Sequence, residues 1–372
     1  MIIQNAKVFD KQGVFVSKDI YIEKERIASS NQQSQDILDA SGCLAVPGFI
    51  DIHFHGCMGY DFCDGTMDAI QTLADYELKN GIMAICPATM TLPEDTLLSI
   101  CRNAASYKNE QGADFVGINM EGPFIAHSKM GAQNPSFIQE TNYDVYKRLQ
   151  VESGNLIRLV DIAPEKTGSM EFIQRAKDEV VISLAHTSAD YETALEAFQK
   201  GASHVTHLYN AMMPYTHRAP GVIGAACDTP HCYVELICDG IHIHPSAVRT
   251  TFKMFGDDRI VFISDSMMAT GMNDGEYSLG GQKVKVVGNL ATLENGTIAG
   301  SATNLMECFR FAVQKMGIPL ESAVKCATMN PAKSIGIFDE YGSIEEGKYA
   351  NILLLDEHTL EIKTLLFKGT IL

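Results

Sequence analysis

Residues 43–56 read CLAVPGFIDIHFHG, an apolar run that ends in two histidines, His53 and His55. In a strand, side chains alternate between faces, so positions 53 and 55 point the same way. Both imidazoles then converge on one spot just past a buried strand. Two neutral imidazoles aimed at one point make half of a metal site. A pair of packed histidines reads equally well from this stretch alone, because a site needs three or four ligands. What separates the two readings lies downstream, where the same kind of run recurs with a polar residue at its end.

From VPGFIDIHFH (46–55) the chain alternates short apolar runs with helical stretches. The further runs are IMAICPATM (82–90), FVGINMEGP (115–123), LIRLVDIAPE (156–165), VVISLAHTS (180–188), SHVTHLYNA (203–211), YVELICDGIHI (233–243) and RIVFISDSMM (259–268). Helical stretches between them include 67–80, 93–109, 191–201 and 244–256. Alternating apolar runs and helices are the mark of βα units, and eight such units predict an α/β chain folded as a closed (β/α)8 TIM barrel over residues 47–338. Residues 1–46 and 339–372 have a different rhythm, with short strand-like pieces separated by turn residues. They predict one small β-sandwich domain built from both termini. The stretch 276–299 breaks the barrel rhythm and predicts a β excursion before a helix at 304–316.

Active residues of such barrels sit at the C-terminal ends of the strands. There the chain places His53 and His55, Glu121, His186, His207 and Asp265. Each has a bland reading: a core histidine, an ion-paired glutamate, an aspartate capping a helix. Four imidazoles and two carboxylates at one barrel mouth point instead to a metal centre with nitrogen and oxygen ligands. Such a metal lowers the pKa of bound water toward neutrality and supplies hydroxide. A free carboxylate beside that water can take its proton and return it to a leaving group; Asp265, on the last strand, is the candidate. The combination predicts metal-assisted hydrolysis of an amide or related bond. Near the same mouth, the end of the sixth run and the segment after it carry Asn210, His217 and Arg218, and the end of the seventh and the residue after it carry Asp239, His242 and His244. The arginine and histidines read as an anion clamp, because guanidinium suits phosphate geometry.

Composition narrows the partners. The formal charge of −17 argues against nucleic acid and anionic membranes. The ten cysteines have no C-x-x-C or framework spacing and several lie in apolar runs, as expected of free thiols in a reducing compartment. No basic segment followed by an apolar stretch opens the chain, and no run approaches a membrane span. A cytoplasmic protein is expected.

The chain resembles the N-acetylglucosamine-6-phosphate deacetylases of the amidohydrolase superfamily. The resemblance rests on PGFIDIHFHG, NMEGPFI, LAHTSAD, VTHLYNAM…HRAPG, ELICDGIHIHP, ISDSMMATG and AGSATNLM, in family order, with NPAKSIGI and GSIEEGKYANILLLD at the C-terminal return. It implies removal of the acetyl group from N-acetylglucosamine 6-phosphate to give glucosamine 6-phosphate and acetate, in amino-sugar catabolism. Glu121, His186 and His207 would be core metal ligands and Asp265 the acid/base. Ala132, Gln133, Asn210, Ala211, Arg218, Asp239, Gly240, Ile241, His242, Ile298, Ala299 and Gly300 would line the sugar phosphate, with Arg218 and His242 on the phosphate. One or two divalent cations are implied, zinc first, with iron, manganese or cobalt also suited to these ligands. The resemblance further implies a homodimer or higher homo-oligomer, with the phosphate site near the subunit interface. Some members lack the second histidine of the pair and bind one metal; this chain keeps both, which implies two metals bridged by Glu121. Some members carry a histidine where this chain has Gln133, whose amide can donate but cannot become cationic. Asn351 stands where aspartate is common.

Three rival readings remain. The same chemistry on N-acetylgalactosamine 6-phosphate differs at one hydroxyl. A cyclic-amidase relative such as dihydroorotase would need a carboxylated lysine at the end of the fourth strand, where this chain reads LVDIAPE with Lys166 beyond. A binding protein on a dead barrel would have lost ligands that this chain retains.

Overall fold

The computed structural model describes residues 1–30, 36–109 and 111–372. All eight apolar runs contain a parallel strand: Phe49–Asp51, Ile82–Ile85, Ile118–Glu121, Ile157–Ile162, Val181–Leu184, His204–Val205, Tyr233–Ile237 and Ile260–Ile263. The third to eighth pair in chain order as a six-stranded parallel sheet. The first and second pair in another parallel sheet with Asp114–Phe115. Backbone bonds bridge both seams. Asn119 N–H donates to Pro87 O (3.0 Å) and Thr89 N–H to Asn119 O (2.9 Å); Asp265 N–H donates to His53 O (3.0 Å) and His55 N–H to Ser266 O (2.7 Å).

These strands read as continuous apolar runs because both of their faces are covered. Alternation divides each strand between two cores. Val261 and Ile263 pack inward with Ile50, Ile52, Ala84 and Leu159. Phe262 and Phe49, at the alternate positions of their strands, pack outward under the helices with Leu73, Phe198 and Phe309. The helices start where the sequence supplies caps. Thr66 accepts from Ala69 N–H ahead of Met67–Lys79, Asp190 from Thr193 N–H ahead of Tyr191–Lys200, and Asn304 from Glu307 N–H ahead of Leu305–Gln314.

The opening stretch serves two sheets. Cys43–Pro47 pairs antiparallel with Ile352–Asp356 and parallel with Lys7–Phe9, in a six-stranded sheet drawn from both ends of the chain. Gly48 then turns the chain into the parallel strand Phe49–Asp51, and a Cβ there would collide with the Met83 side chain. A four-stranded sheet from the N-terminal residues shares a core with the six-stranded one through Ile3, Ile20, Ile22, Ala45, Ile352 and Leu354. The β excursion is a three-stranded antiparallel meander, Gly275–Leu279, Gln282–Val287 and Leu290–Leu293. Its core joins Leu279, Val284 and Ala291 to Met90, Ala132 and Met267, so the meander packs on the strand-end loops. All ten cysteines are free, and among the described residues no helix is long and apolar enough to cross a membrane.

Candidate metal centre and cleft

The six strand-end residues meet. Glu121 is the hub, with Oε1 2.9 Å from His186 Nε2, 3.2 Å from His207 Nε2 and 3.8 Å from His53 Nε2, and Oε2 3.3 Å from His55 Nε2. Asp265 Oδ1 lies 3.3 Å from His55 Nε2 and 3.8 Å from His53 Nε2. All six are buried. His186, His207 and Asp265 have left-handed backbones, with φ of 45°, 29° and 49°. Each such non-glycine residue costs on the order of 1–3 kcal/mol, and strain of this kind gathers at sites whose side chains must be aimed. Gly131 passes so close to the site that a Cβ would stand 3.3 Å from His186 Cε1, at a φ of 57°.

The donor set fits a divalent cation. His186 Nδ1–H donates to Lys129 O at 2.7 Å, which leaves its Nε2 with the lone pair. That nitrogen and His207 Nε2, 3.2 Å apart, both face one carboxylate oxygen. His53 Nε2 is fully buried with no hydrogen-bond partner among the described residues. Buried lone pairs crowded on one point are relieved by a cation between them. Two overlapping donor groups are present, His53–Glu121–His207 and His53–His55–Asp265. Burial alone would raise the Glu121 carboxyl, but the imidazoles of His186, His207, His53 and His55 gathered around it hold it well below its ordinary range. Burial likewise works against ionised Asp265, and His55 and its neighbours outweigh it, keeping this carboxyl on the anionic side.

Above this floor opens a cleft of about 360 Å³, within the range of small-ligand pockets. Of the residues expected on the sugar phosphate, Ala132, Gln133, Asn210, Ala211, His242, Ile298 and Gly300 line it. His242 Nδ1–H donates to Asp239 Oδ2 at 2.7 Å, and Asp239 Oδ1 accepts from Ile241 and His242 N–H at 2.9 Å each. Asp239 and the Gly240-Ile241 turn therefore hold His242 from behind, and they are absent from the lining. Burial opposes a charge on His242, and the Asp239 carboxylate more than offsets it, raising its pKa. Ala299 is fully buried between two lining neighbours.

Two expectations change on placement, and a third residue gains partners. Arg218 and His217 are exposed, and Arg218 lines a separate depression with Tyr191, Met213 and Thr216, so the arginine and histidines are not gathered at one mouth of this chain. His244 accepts from Ser246 N–H at 3.2 Å, capping the helix Pro245–Phe255. Gln133 is already committed: its Oε1 accepts from Thr91 N–H at 2.7 Å and its Nε2 donates to Glu121 Oε2 at 2.8 Å. Sequence reading missed Lys129, Met90, Leu279 and Thr297 on the cleft wall. The loop HSKMGAQNP carried the only signal for Lys129, a cation beside the glycine that approaches His186. It also missed the polar layer beneath the ligands, where His53 N–H donates to Asp51 Oδ1, Ser264 Oγ to Asp51 Oδ2, and Thr206 Oγ1 to Asp161 Oδ1.

The sequence pattern of the amidohydrolase family matches residues 44–372. The chain belongs to the amidohydrolase family. Among amidohydrolases it is similar to the N-acetylglucosamine-6-phosphate deacetylase of Bacillus subtilis, 36% identical over 338 residues, 89% of this chain and 85% of that protein. It is 30% identical to an N-acetylgalactosamine-6-phosphate deacetylase of Escherichia coli O157:H7, over 95% of each chain. In structure it is similar to an N-acetyl-D-glucosamine-6-phosphate deacetylase variant from Mycobacterium smegmatis in complex with N-acetyl-D-glucosamine-6-phosphate, with a TM-score of 0.93 and 29% identity over 100% of this chain and 98% of that one. Lys166 Nζ, the lysine beyond the fourth strand, pairs with Glu140 at 3.1 Å and is not among the residues of the metal cluster.

Proposed function

We propose that this amidohydrolase removes the acetyl group from N-acetylglucosamine 6-phosphate, giving glucosamine 6-phosphate and acetate. One observation carries the reading: four imidazoles, Glu121 and Asp265 meet at the floor of one cleft in a chain similar to such deacetylases along most of its length. His53, His55, Glu121, His186 and His207 would hold two divalent cations, zinc first, with iron, manganese or cobalt meeting the same ligand chemistry. When bound, such cations acidify water and polarise a carbonyl oxygen. Asp265 takes the proton from the attacking water as its oxygen bonds to the acetyl carbon. It then delivers that proton to the sugar nitrogen as the carbon–nitrogen bond breaks. Gln133 steadies Glu121 through its 2.8 Å hydrogen bond. His242, braced by Asp239, donates to the phosphate, and Arg218 supplies the second cationic contact. The scaffold is a closed (β/α)8 barrel over 47–338 with a β-sandwich of residues 1–46 and 339–372, in a cytoplasmic homo-oligomer.

Acetate release from the gluco and galacto 6-phosphates, on protein whose metal content has been measured, tests the reading. Faster turnover of the gluco epimer at about two metals per chain is expected. A His53/His55→Ala double variant should lose about one metal. Release from neither epimer by the fully loaded protein would refute the activity, and preference for the galacto epimer would reassign the substrate.

A further inference from the structure

Glu235 lies mid-way along the seventh parallel strand, Tyr233–Ile237, with no exposed surface. A carboxylate is buried only where partners repay its lost hydration. Its Oε2 accepts from His53 Nδ1–H at 3.0 Å and from the His207 backbone N–H at 3.0 Å. Its Oε1 has no hydrogen-bond partner among the described residues and stands 3.7 Å from His204 Nδ1. One oxygen thus grips two of the five ligands, on the first and sixth strands. Because a carboxylate oxygen faces Nδ1 of His53, the ring proton sits on Nδ1 and the lone pair on Nε2. That Nε2 is buried without a partner among the described residues, and His53 is the residue common to both donor groups of the site.

We infer that Glu235 is a positioning residue for the metal centre, locking His53 in the tautomer and orientation that make Nε2 a ligand. The inference rests on the two-cation reading above. A carboxylate behind a ligating imidazole both orients the ring and raises its basicity, and losing such a partner costs roughly 10–100-fold in metal affinity. Asp161 supplies the contrast. It is equally buried, on the fourth strand, and accepts from Thr206 Oγ1 at 2.8 Å, but has no hydrogen bond to any ligand.

The test strips wild type, Glu235→Gln, Glu235→Leu and Asp161→Asn with a chelator. Each is reloaded with Zn²⁺, metals per chain are counted, and each site's affinity is measured by competition with a chromophoric chelator. Thermal melts of the stripped proteins report folding separately. Wild type should hold about two cations. E235Q keeps the size and an acceptor oxygen but not the charge, so one site should weaken roughly 10–100-fold. E235L should weaken that site at least as much, and D161N should keep both affinities. Unchanged affinities in E235Q would overturn the inference, as would an equal loss at both sites shared by D161N, which marks a structural role. E235Q alone decides the matter should E235L not fold. A fully active wild type holding a single cation would remove the two-metal reading and the inference with it, an outcome distinct from a normal wild type with a normal E235Q.

Discussion

Asp265 Oδ1 stands within 3.8 Å of both His53 and His55, yet its carboxyl also borders the cleft. It can therefore reach substrate as well as the metal ligands. Asp265→Asn keeps the size and removes proton transfer, so kcat should fall at least about a hundredfold while metal content falls much less. Turnover near the wild-type rate would take Asp265 out of the proton path. The strand-end residues of this cluster were legible because each closes an apolar run, where a polar side chain has no packing reason to be. Glu235, Asp161, Asp51 and His204 were not, because they sit inside or before the runs and attention to run ends passes over them. Their signal was present all the same: a carboxylate in the middle of a strand covered on both faces must have a partner. Asp51, His53 and His55 also alternate onto one face. Asn351 was legible in a modest way. Its Oδ1 accepts from Lys368 N–H at 2.8 Å and its Nδ2 is buried without a partner among the described residues, a local matter within the terminal sheets.

Among the elements, the eight strands and their order were readable from hydrophobic rhythm, since a covered parallel strand and an amphipathic helix have different periods. The role of the antiparallel meander was not, because nothing in its pattern says where it packs. Leu279 of the meander and Thr297, Ile298 and Gly300 just after it reach the cleft, and Gln282 Nε2 donates to Ala132 O, tying the meander to the loop that carries Gln133. Gln282→Ala should raise KM about two- to tenfold, the worth of one lost hydrogen bond, and leave kcat within about twofold. An unchanged KM would mean that the meander holds its place by apolar packing alone. The helix Met67–Lys79 carries a different liability. Glu77 is fully buried on its inner face, and neither carboxyl oxygen has a hydrogen-bond partner among the described residues. Burial, then the nearby Asp51 charge, raises its pKa well above the ordinary 4.5. Above pH 4.5 the unfolded chain releases this proton while the folded one keeps it, so the folded state binds more protons and stability falls as pH rises. The slope is up to about 1.4 kcal/mol per pH unit until the folded group ionises. Glu77→Gln removes the slope. Denaturant titrations should find E77Q and wild type equal near pH 4.5 and E77Q more stable at pH 8. Parallel stability curves would show that Glu77 is ionised in the folded protein.

For the whole molecule the question is how a chain of net charge −17 binds a phosphate ester. Long-range repulsion works against it, so local cations must outweigh the field. Within the cleft of one chain His242 and Lys129 are the nearby cationic candidates, while Arg218 stands exposed on a separate depression. An exposed guanidinium outside its own cleft takes a phosphate role if it serves the cleft of a second copy in the proposed homo-oligomer. Arg218→Ala should raise KM for the 6-phosphate by roughly tenfold or more, as a charge-assisted pair of about 1.5–3 kcal/mol is lost. Turnover of the unphosphorylated N-acetyl sugar should hardly change, because that substrate makes no use of the clamp. Mixing then identifies whose cleft is served. D265N chains lack the acid/base and R218A chains lack the guanidinium, so each preparation alone is impaired. If Arg218 acts across the interface, hybrid oligomers contain an R218A chain with an intact Asp265 beside a D265N chain with an intact Arg218. Refolding the two variants together should then recover a fraction of wild-type activity at low substrate. If Arg218 acts within its own chain, every cleft in the mixture lacks one of the two groups and nothing is recovered. An equal loss on both substrates in R218A would make the arginine structural and leave the phosphate to His242 and Lys129.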